Sequence, residues 1–222
     1  VKSWVVKWCL PPGIKAFLWG LKRYFRPQQT VAAAVGHTIG GDVGHADDWK
    51  LFREAVVGCK SYAEYGVGNS TLYVDEQQSC RVKSAETDVM WVKKISSATS
   101  DNVQVVHIDL GDVGSWGRPT SYERASEFTE YFEVPFSDGF APDVVLVDGR
   151  FRVACFLTAL LSASPGTIII FDDYVTRPQY HVVEKIVQPA ETHGRQARFV
   201  RPTLIETSKA QSLLTKFMYV MD

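Results

Sequence analysis

Net charge is almost absent from this 222-residue chain and cysteine is scarce, and each shortage narrows what the protein can be. The 24 Lys and Arg stand against 25 Asp and Glu, a formal charge of −1. The chain as a whole therefore lacks the basic footprint that nucleic-acid binding demands, and no nucleic-acid partner is expected. The four cysteines, at 9, 59, 80 and 155, contain no C-x-x-C pair. They are too sparse for a disulfide scaffold, so reduced thiols in a cytoplasmic setting are the expectation. The five histidines share no ligand-type spacing with each other or with cysteine, which leaves a zinc site without support. Hydrophobic residues at 45% and charged residues at 22% are ordinary for a packed globular chain. That balance excludes disordered, collagen-like and multi-spanning membrane classes, and the length suits one domain with a substantial core.

Acidic residues are also missing locally, since none occurs before Asp42. Residues 1–41 hold Lys2, Lys7, Lys15, Lys22, Arg23 and Arg26, a charge of +6, while the remainder carries −7. Three of the six tryptophans (Trp4, Trp8, Trp19) lie in the same stretch. On a helix from Ile14, residues Ile14, Phe17, Leu18, Leu21, Tyr24 and Phe25 share one face and Lys15, Lys22, Arg23 and Arg26 another. Pro11-Pro12-Gly13 would open that helix and Pro27 would end it. Its apolar run, Ala16 to Leu21, falls short of the roughly 20 residues a bilayer span needs. No clear cleavage site follows it, so it is also a poor signal-peptide core. Residues 1–41 are read as a segment apart from a domain over 42–222. Its helix packs its stripe on that domain, docks on a partner, or lies at residues 14–26 on the inner face of a membrane.

Beyond residue 59 short β-rich runs alternate with turns and helical stretches, the signature of a mostly parallel sheet covered by helices. Strands are expected near 60–65, 81–86, 103–109, 143–148 and 166–172, and helices near 45–57, 70–78, 88–97, 150–162 and 178–187. The runs Asp143-Val-Val-Leu-Val-Asp148 and Thr167-Ile-Ile-Ile-Phe-Asp172 are continuously apolar and end in an acid, as buried parallel strands that deliver a side chain to the carboxyl edge would. Two further β-prone runs, Arg195–Arg201 and Leu213–Met221, are expected to close the sheet as an antiparallel hairpin. The fold class is thus α/β, a Rossmann-like doubly wound sheet of seven strands. The longest irregular region, about 110–142, is expected to carry function or its own helix over Tyr122–Phe132.

Glu64-Tyr65-Gly66-Val67-Gly68-Asn69-Ser70-Thr71 follows the first strand and opens a helix. Glycines allow a sharp turn and close backbone approach to a ligand. The dinucleotide fingerprint needs a third glycine where this chain has Thr71, which disfavours a nicotinamide-dependent oxidoreductase. Glu86, 22 residues after Glu64, ends the second strand, where an acid can hold both hydroxyls of a ribose.

This arrangement resembles the class I S-adenosylmethionine-dependent methyltransferases, whose first motif reads E-x-G-x-G-x-S-T and whose second strand ends in a ribose-binding acid. The resemblance covers roughly residues 45–222. It implies S-adenosylmethionine as cofactor, with Gly66 and Gly68 lining its methionine part, Glu64, Asn69 and Ser70 among the residues that bind it, Glu86 on its ribose, and Asp109 to Asp112 facing its adenine. The stretches His107–Pro119 and Asp143–Arg152 are similar to a bacterial branch of methyltransferase-like proteins.

Asp148-Gly149 after the fourth strand and Asp172-Asp173-Tyr174 after the fifth place three carboxylates at adjacent strand ends, where hard oxygen ligands suit Mg²⁺. The pattern resembles metal-dependent small-molecule and sugar O-methyltransferases, and that resemblance implies Asp148, Asp172 and Asp173 as the ligands. The sugar enzymes carry an acid two residues after the first ligand as general base, whereas this chain has Arg150. Asp148 and His181 are the candidates left for catalysis. Arg118, Arg150, Arg152 and Arg177 could together hold an anionic substrate. The leading expectation is methyl transfer to a hydroxyl of a small polar acceptor such as a carbohydrate. The alternative is a cofactor-binding scaffold without turnover, and a homo-oligomer stays open.

Overall fold

The computed structural model describes residues 48–222, and the basic segment 1–41 with its helix over 14–26 lies outside the described residues. Five strands, β1 (Ser61–Tyr65), β2 (Arg81–Glu86), β3 (Val103–His107), β4 (Val144–Val147) and β5 (Ile168–Phe171), pair in parallel. β6 (Glu191–His193) and β7 (Gln196–Val200) are antiparallel, and the sheet order is β3-β2-β1-β4-β5-β7-β6. This is the Rossmann-like doubly wound architecture of seven strands. Its order reverses between β1 and β4, the switch point at which such sheets open a crevice for ligands.

Strand residues alternate between two cores. Ala63, Tyr65, Val145, Val147 and Phe171 pack on one face with Phe128, Phe151, Phe156 and Phe199. Tyr62, Val82, Val144, Leu146 and Ile170 face the other side, against Leu51, Phe52 and Val56 of α1 (Lys50–Val56). Both faces are covered, which explains why β4 and β5 read as continuous apolar runs. Crossovers use α2 (Asn69–Gln77), α3 (Val89–Ser96) and α5 (Arg152–Ser162), and α5 is buried on every side from Arg152 through Leu160. In the region between β3 and β4 only α4 (Phe128–Glu133) is α-helical, with short 3₁₀ turns at Ser115–Gly117, Ala125–Glu127 and Val134–Gly139.

The terminal region differs from expectation. The partner of β7 is β6, reached through a two-residue turn in which Gly194 takes φ +54°, and Leu213–Met221 is not a strand. Thr207–Phe217 forms helix α6. Ala210, Leu213, Leu214 and Phe217 recur at helical spacing, and Leu213, Leu214, Phe217 and Met218 pack on the first core. Pro178–Lys185 is 3₁₀ rather than α-helical.

One contact sets the distance between the β1 and β4 loops. Gly66 lies at φ +83°, and a Cβ on it would fall 2.8 Å from the Gly149 Cα. A Cβ on Gly149 would fall 2.2 Å from the Tyr131 Oη and 2.8 Å from the Gly66 nitrogen. Gly149→Ala is therefore expected to overpack this joint and lower unfolding stability by about 1–3 kcal/mol. A lower urea midpoint with an unchanged slope would register it, and a midpoint equal to wild type would show that the loops can part.

Candidate functional site

The glycine loop rests on a buried carboxylate. Glu64 is fully buried and accepts hydrogen bonds from the hydroxyls of Tyr62 (2.8 Å), Ser70 (2.7 Å), Thr71 (2.5 Å) and Ser84 (2.9 Å). Burial raises its pKa, and the hydroxyl donors oppose that rise. The expectation that Glu64 and the Ser70 hydroxyl touch cofactor is corrected by this geometry, because both side chains are turned under the loop and spent on each other. Thr71, which stands in place of a third glycine, also accepts from the Gly68 amide at 3.0 Å and so ties the turn to Glu64. Gly68 faces open space, with nothing within 4 Å of the point where a Cβ would stand, and Asn69, exposed, begins α2. The amide end of that helix suits the carboxylate of an amino-acid group.

Glu86, at the end of β2, meets the same loop. Its Oε2 accepts from the Val67 amide at 3.0 Å, and its Oε1 accepts from the amides of Thr87 (2.7 Å) and Asp88 (2.9 Å). A carboxylate offers about four acceptor positions, so Oε2 retains capacity for a hydroxyl. Open space at Gly68, a left-handed Gly66 and an acid at the end of β2 together fit an adenosyl amino acid. Asp109 and Asp112 are exposed past the end of β3, and Asp109 pairs with Arg124 at 3.2 Å while accepting from the Gly111 amide.

Asp148, Asp172 and Asp173 converge as their positions after β4 and β5 suggest, with one oxygen of each within 4.8 Å of the others. Three guanidiniums occupy the same place. Arg152, 3% exposed, puts Nη2 3.0 Å from Asp148 Oδ1 and Nη1 3.0 Å from Asp173 Oδ2. It also donates to the carbonyls of Gly149, Asp172 and Asp148. Arg177 reaches Asp173 at 2.8 Å, and Arg195 reaches Asp172 at 2.7 Å and Asp173 at 3.4 Å. Each acid therefore has at least one guanidinium within ion-pair distance. A divalent ion among them would meet three neighbouring positive charges, so the residues present do not fit Mg²⁺. In the structure the carboxylates expected as metal ligands, Asp148, Asp172 and Asp173, are instead ion-paired to arginine. Arg195, in the turn between β6 and β7, is invisible to sequence reasoning, because nothing local marks it as a partner of acids more than twenty residues earlier.

His181 stacks on the Tyr174 ring (centroids 4.6 Å apart), and its Nε2 lies 3.1 Å from the Tyr174 carbonyl oxygen. That bond places its proton on Nε2 and holds the ring against Tyr174 in the 178–185 turn. A cleft of about 590 Å³ opens between the loop over 114–120, Arg150 and Met221. Its Gly117 carbonyl accepts from the Thr87 hydroxyl at 2.6 Å, so the cleft wall abuts the residue after Glu86.

Burial, then the facing Asp148 carboxylate, push Asp172 from 3.8 up to about 8, against the pull of Arg195. The folded chain therefore holds a proton between about pH 4 and pH 8 that the unfolded chain releases, and this group makes the fold less stable as pH rises through that window. Asp172→Asn is expected to flatten the decline, read as urea midpoints at about pH 5 and pH 9. A decline as steep as wild type would overturn the assignment. Asp148 is raised by burial in the same sense and leaves a residual slope.

No family model and no curated protein matches this sequence. Among solved structures, a methyltransferase-like protein from Silicibacter pomeroyi is 32% identical, with a TM-score of 0.70, over 80% of this chain and 96% of that one. An O-methyltransferase from Bacillus cereus with S-adenosylhomocysteine (17% identity, TM-score 0.44, covering 91% and 83%) also matches. So does an RNA methyltransferase from Salinibacter ruber with the same ligand (18%, 0.42, 71% and 89%), and these two add nothing to the assignment. No helix among the described residues is long and apolar enough to cross a membrane. With the loop on Glu64, the acid at Glu86 and a relative of that identity and coverage, the chain belongs to the class I S-adenosylmethionine-dependent methyltransferase family.

Proposed function

We propose that this chain methylates a hydroxyl of a small polar acceptor that enters through the cleft over the carboxyl edge. The observation that carries the reading is the Gly66–Gly149 contact, which sets the cofactor loop against the segment bearing Asp148 and Arg150. The cofactor, when bound, supplies a methyl group already activated by its sulfonium. Gly66 and Gly68 let the backbone approach its amino-acid portion, and Glu86 accepts from its ribose hydroxyls. Asp148 is the proposed proton acceptor. Burial raises its pKa, which makes it a stronger base than a free carboxylate, and Arg152 holds its orientation through Oδ1. A positioned base contributes about 10²–10⁴-fold, and alignment of acceptor with donor can contribute an effective molarity of roughly 10⁵ M or more.

The scheme invokes no divalent ion: Arg152, Arg177 and Arg195 lie within ion-pair distance of the acids. Calorimetric titration with S-adenosylhomocysteine is expected to give saturable binding near one to one, with the same affinity in Mg²⁺ and in chelator. A well-folded protein that fails to bind would remove the enzymatic reading, and tighter binding in Mg²⁺ would restore a metal. Glu86→Ala is expected to weaken that binding at least tenfold, and unchanged affinity in a folded variant would sink the ribose role.

A further inference from the structure

Of the four arginines that could hold an anionic substrate, the structure makes two pairs. Arg152 and Arg177 are committed to Asp148 and Asp173 at 2.8–3.0 Å. Arg118 and Arg150 line the 590 Å³ cleft together, and neither has a carboxylate within ion-pair distance among the described residues. Arg150 is half-buried, and its Nε is shielded from solvent without a hydrogen-bond partner. A shielded guanidinium nitrogen without a hydrogen-bond partner is costly, and the cost is recovered when an acceptor arrives. Burial and the neighbouring Arg152 both press against the charge of Arg150, with Asp222 among the groups that oppose them. Arg150 follows Gly149 directly, which places it beside the loop that carries Gly66.

The other walls have a different chemistry. Trp116 is 79% exposed and sits at φ 60°, a backbone conformation unfavourable for a bulky residue, so the 115–117 turn holds its ring on the surface at a cost. Met221 supplies a second apolar surface on the same cleft. Two unpaired guanidiniums beside an exposed indole and a thioether suit a ligand with an oxyanion at one end and a flat apolar body at the other.

We propose that the acceptor is a small planar molecule bearing a carboxylate or phosphate, held by Arg118 and Arg150 with its body against Trp116. This rests on the reading of the cleft as the acceptor entrance of a methyltransferase. Arginine forks bind either oxyanion through paired donors, so both groups are admitted by the same geometry.

The test titrates benzoate, phenyl phosphate and the uncharged benzamide into the full chain, with and without saturating S-adenosylhomocysteine. Both oxyanions, or one of them, are expected to bind at a single site in the loaded protein, with benzamide at least tenfold weaker. The tighter of the two identifies the group. Arg150→Gln and Arg118→Gln are each expected to weaken oxyanion binding at least tenfold while the urea midpoint and S-adenosylhomocysteine affinity stay at wild-type values. Arg118 is exposed, so its variant remains informative if the Arg150 variant folds poorly. The proposal is overturned if benzamide binds as tightly, if neither variant loses affinity, or if neither oxyanion binds. Displacement of the oxyanions by S-adenosylhomocysteine would assign the arginines to the cofactor's own carboxylate and overturn it as well. Oxyanion binding that depends on both arginines in a protein that never binds S-adenosylhomocysteine would uphold the anion site and sink the methyltransfer reading alone.

Discussion

The approach of Gly66 to Gly149 is the constraint on which the rest of the site depends. Two loops leave neighbouring parallel strands at the switch point, and they would diverge if either carried a side chain at the joint. Because they touch, the two-glycine turn and the turn that carries Asp148 and Arg150 form one surface. The joint is braced from both sides. Beneath it, Glu64 gathers four hydroxyls from β1, β2 and α2. Beside it, the Tyr65 hydroxyl donates to the Phe132 carbonyl at 2.7 Å and links the strand to α4. A buried carboxylate is tolerable only when its acceptor positions are filled, so the hydroxyls are required by Glu64 as much as the loop requires Glu64.

The second organising feature is a cluster of opposite charges at the ends of β4 and β5. Three carboxylates held this close would repel one another unless something positive stood between them, and in this chain arginine does so. The choice has a mechanical consequence. Arg152 joins Asp148, Gly149, Asp172 and Asp173 through five hydrogen bonds or ion pairs, so it cross-links both strand ends at the floor of the site. A metal ion could be lost or exchanged, whereas a guanidinium on a buried helix cannot. The chain therefore ties the acids at both strand ends to arginine, and it leaves Arg118 and Arg150 lining the cleft.

Much of the architecture was legible because it is written in local periodicity. Val144–Val147 and Ile168–Phe171 read as doubly covered strands from composition alone, the two-glycine turn after Tyr65 marked where a ligand would approach, and Glu86 fell at the expected strand end. The terminal hairpin was expected, but with the wrong second strand. Leu213–Met221 is rich in β-prone residues, yet its apolar side chains repeat at three and four, and the core offered them a face that a strand could not have filled. Glu191–His193, short and polar, carried no strand signal of its own and pairs because Gly194 turns the chain back on β7.

By itself the sequence determined the order of most strands and helices, the position of the two-glycine turn and the acids delivered to the carboxyl edge, since each follows from side-chain period, turn chemistry and strand ends within a few residues. Only the tertiary structure decided which charges are spent and which are free. Arg195 meets Asp172 from the far side of a hairpin, Arg152 and Arg177 are consumed by the same acids, and Glu64 disappears under its own loop. Charge pairing is settled by distance in space between residues far apart in the chain, and no local pattern encodes it.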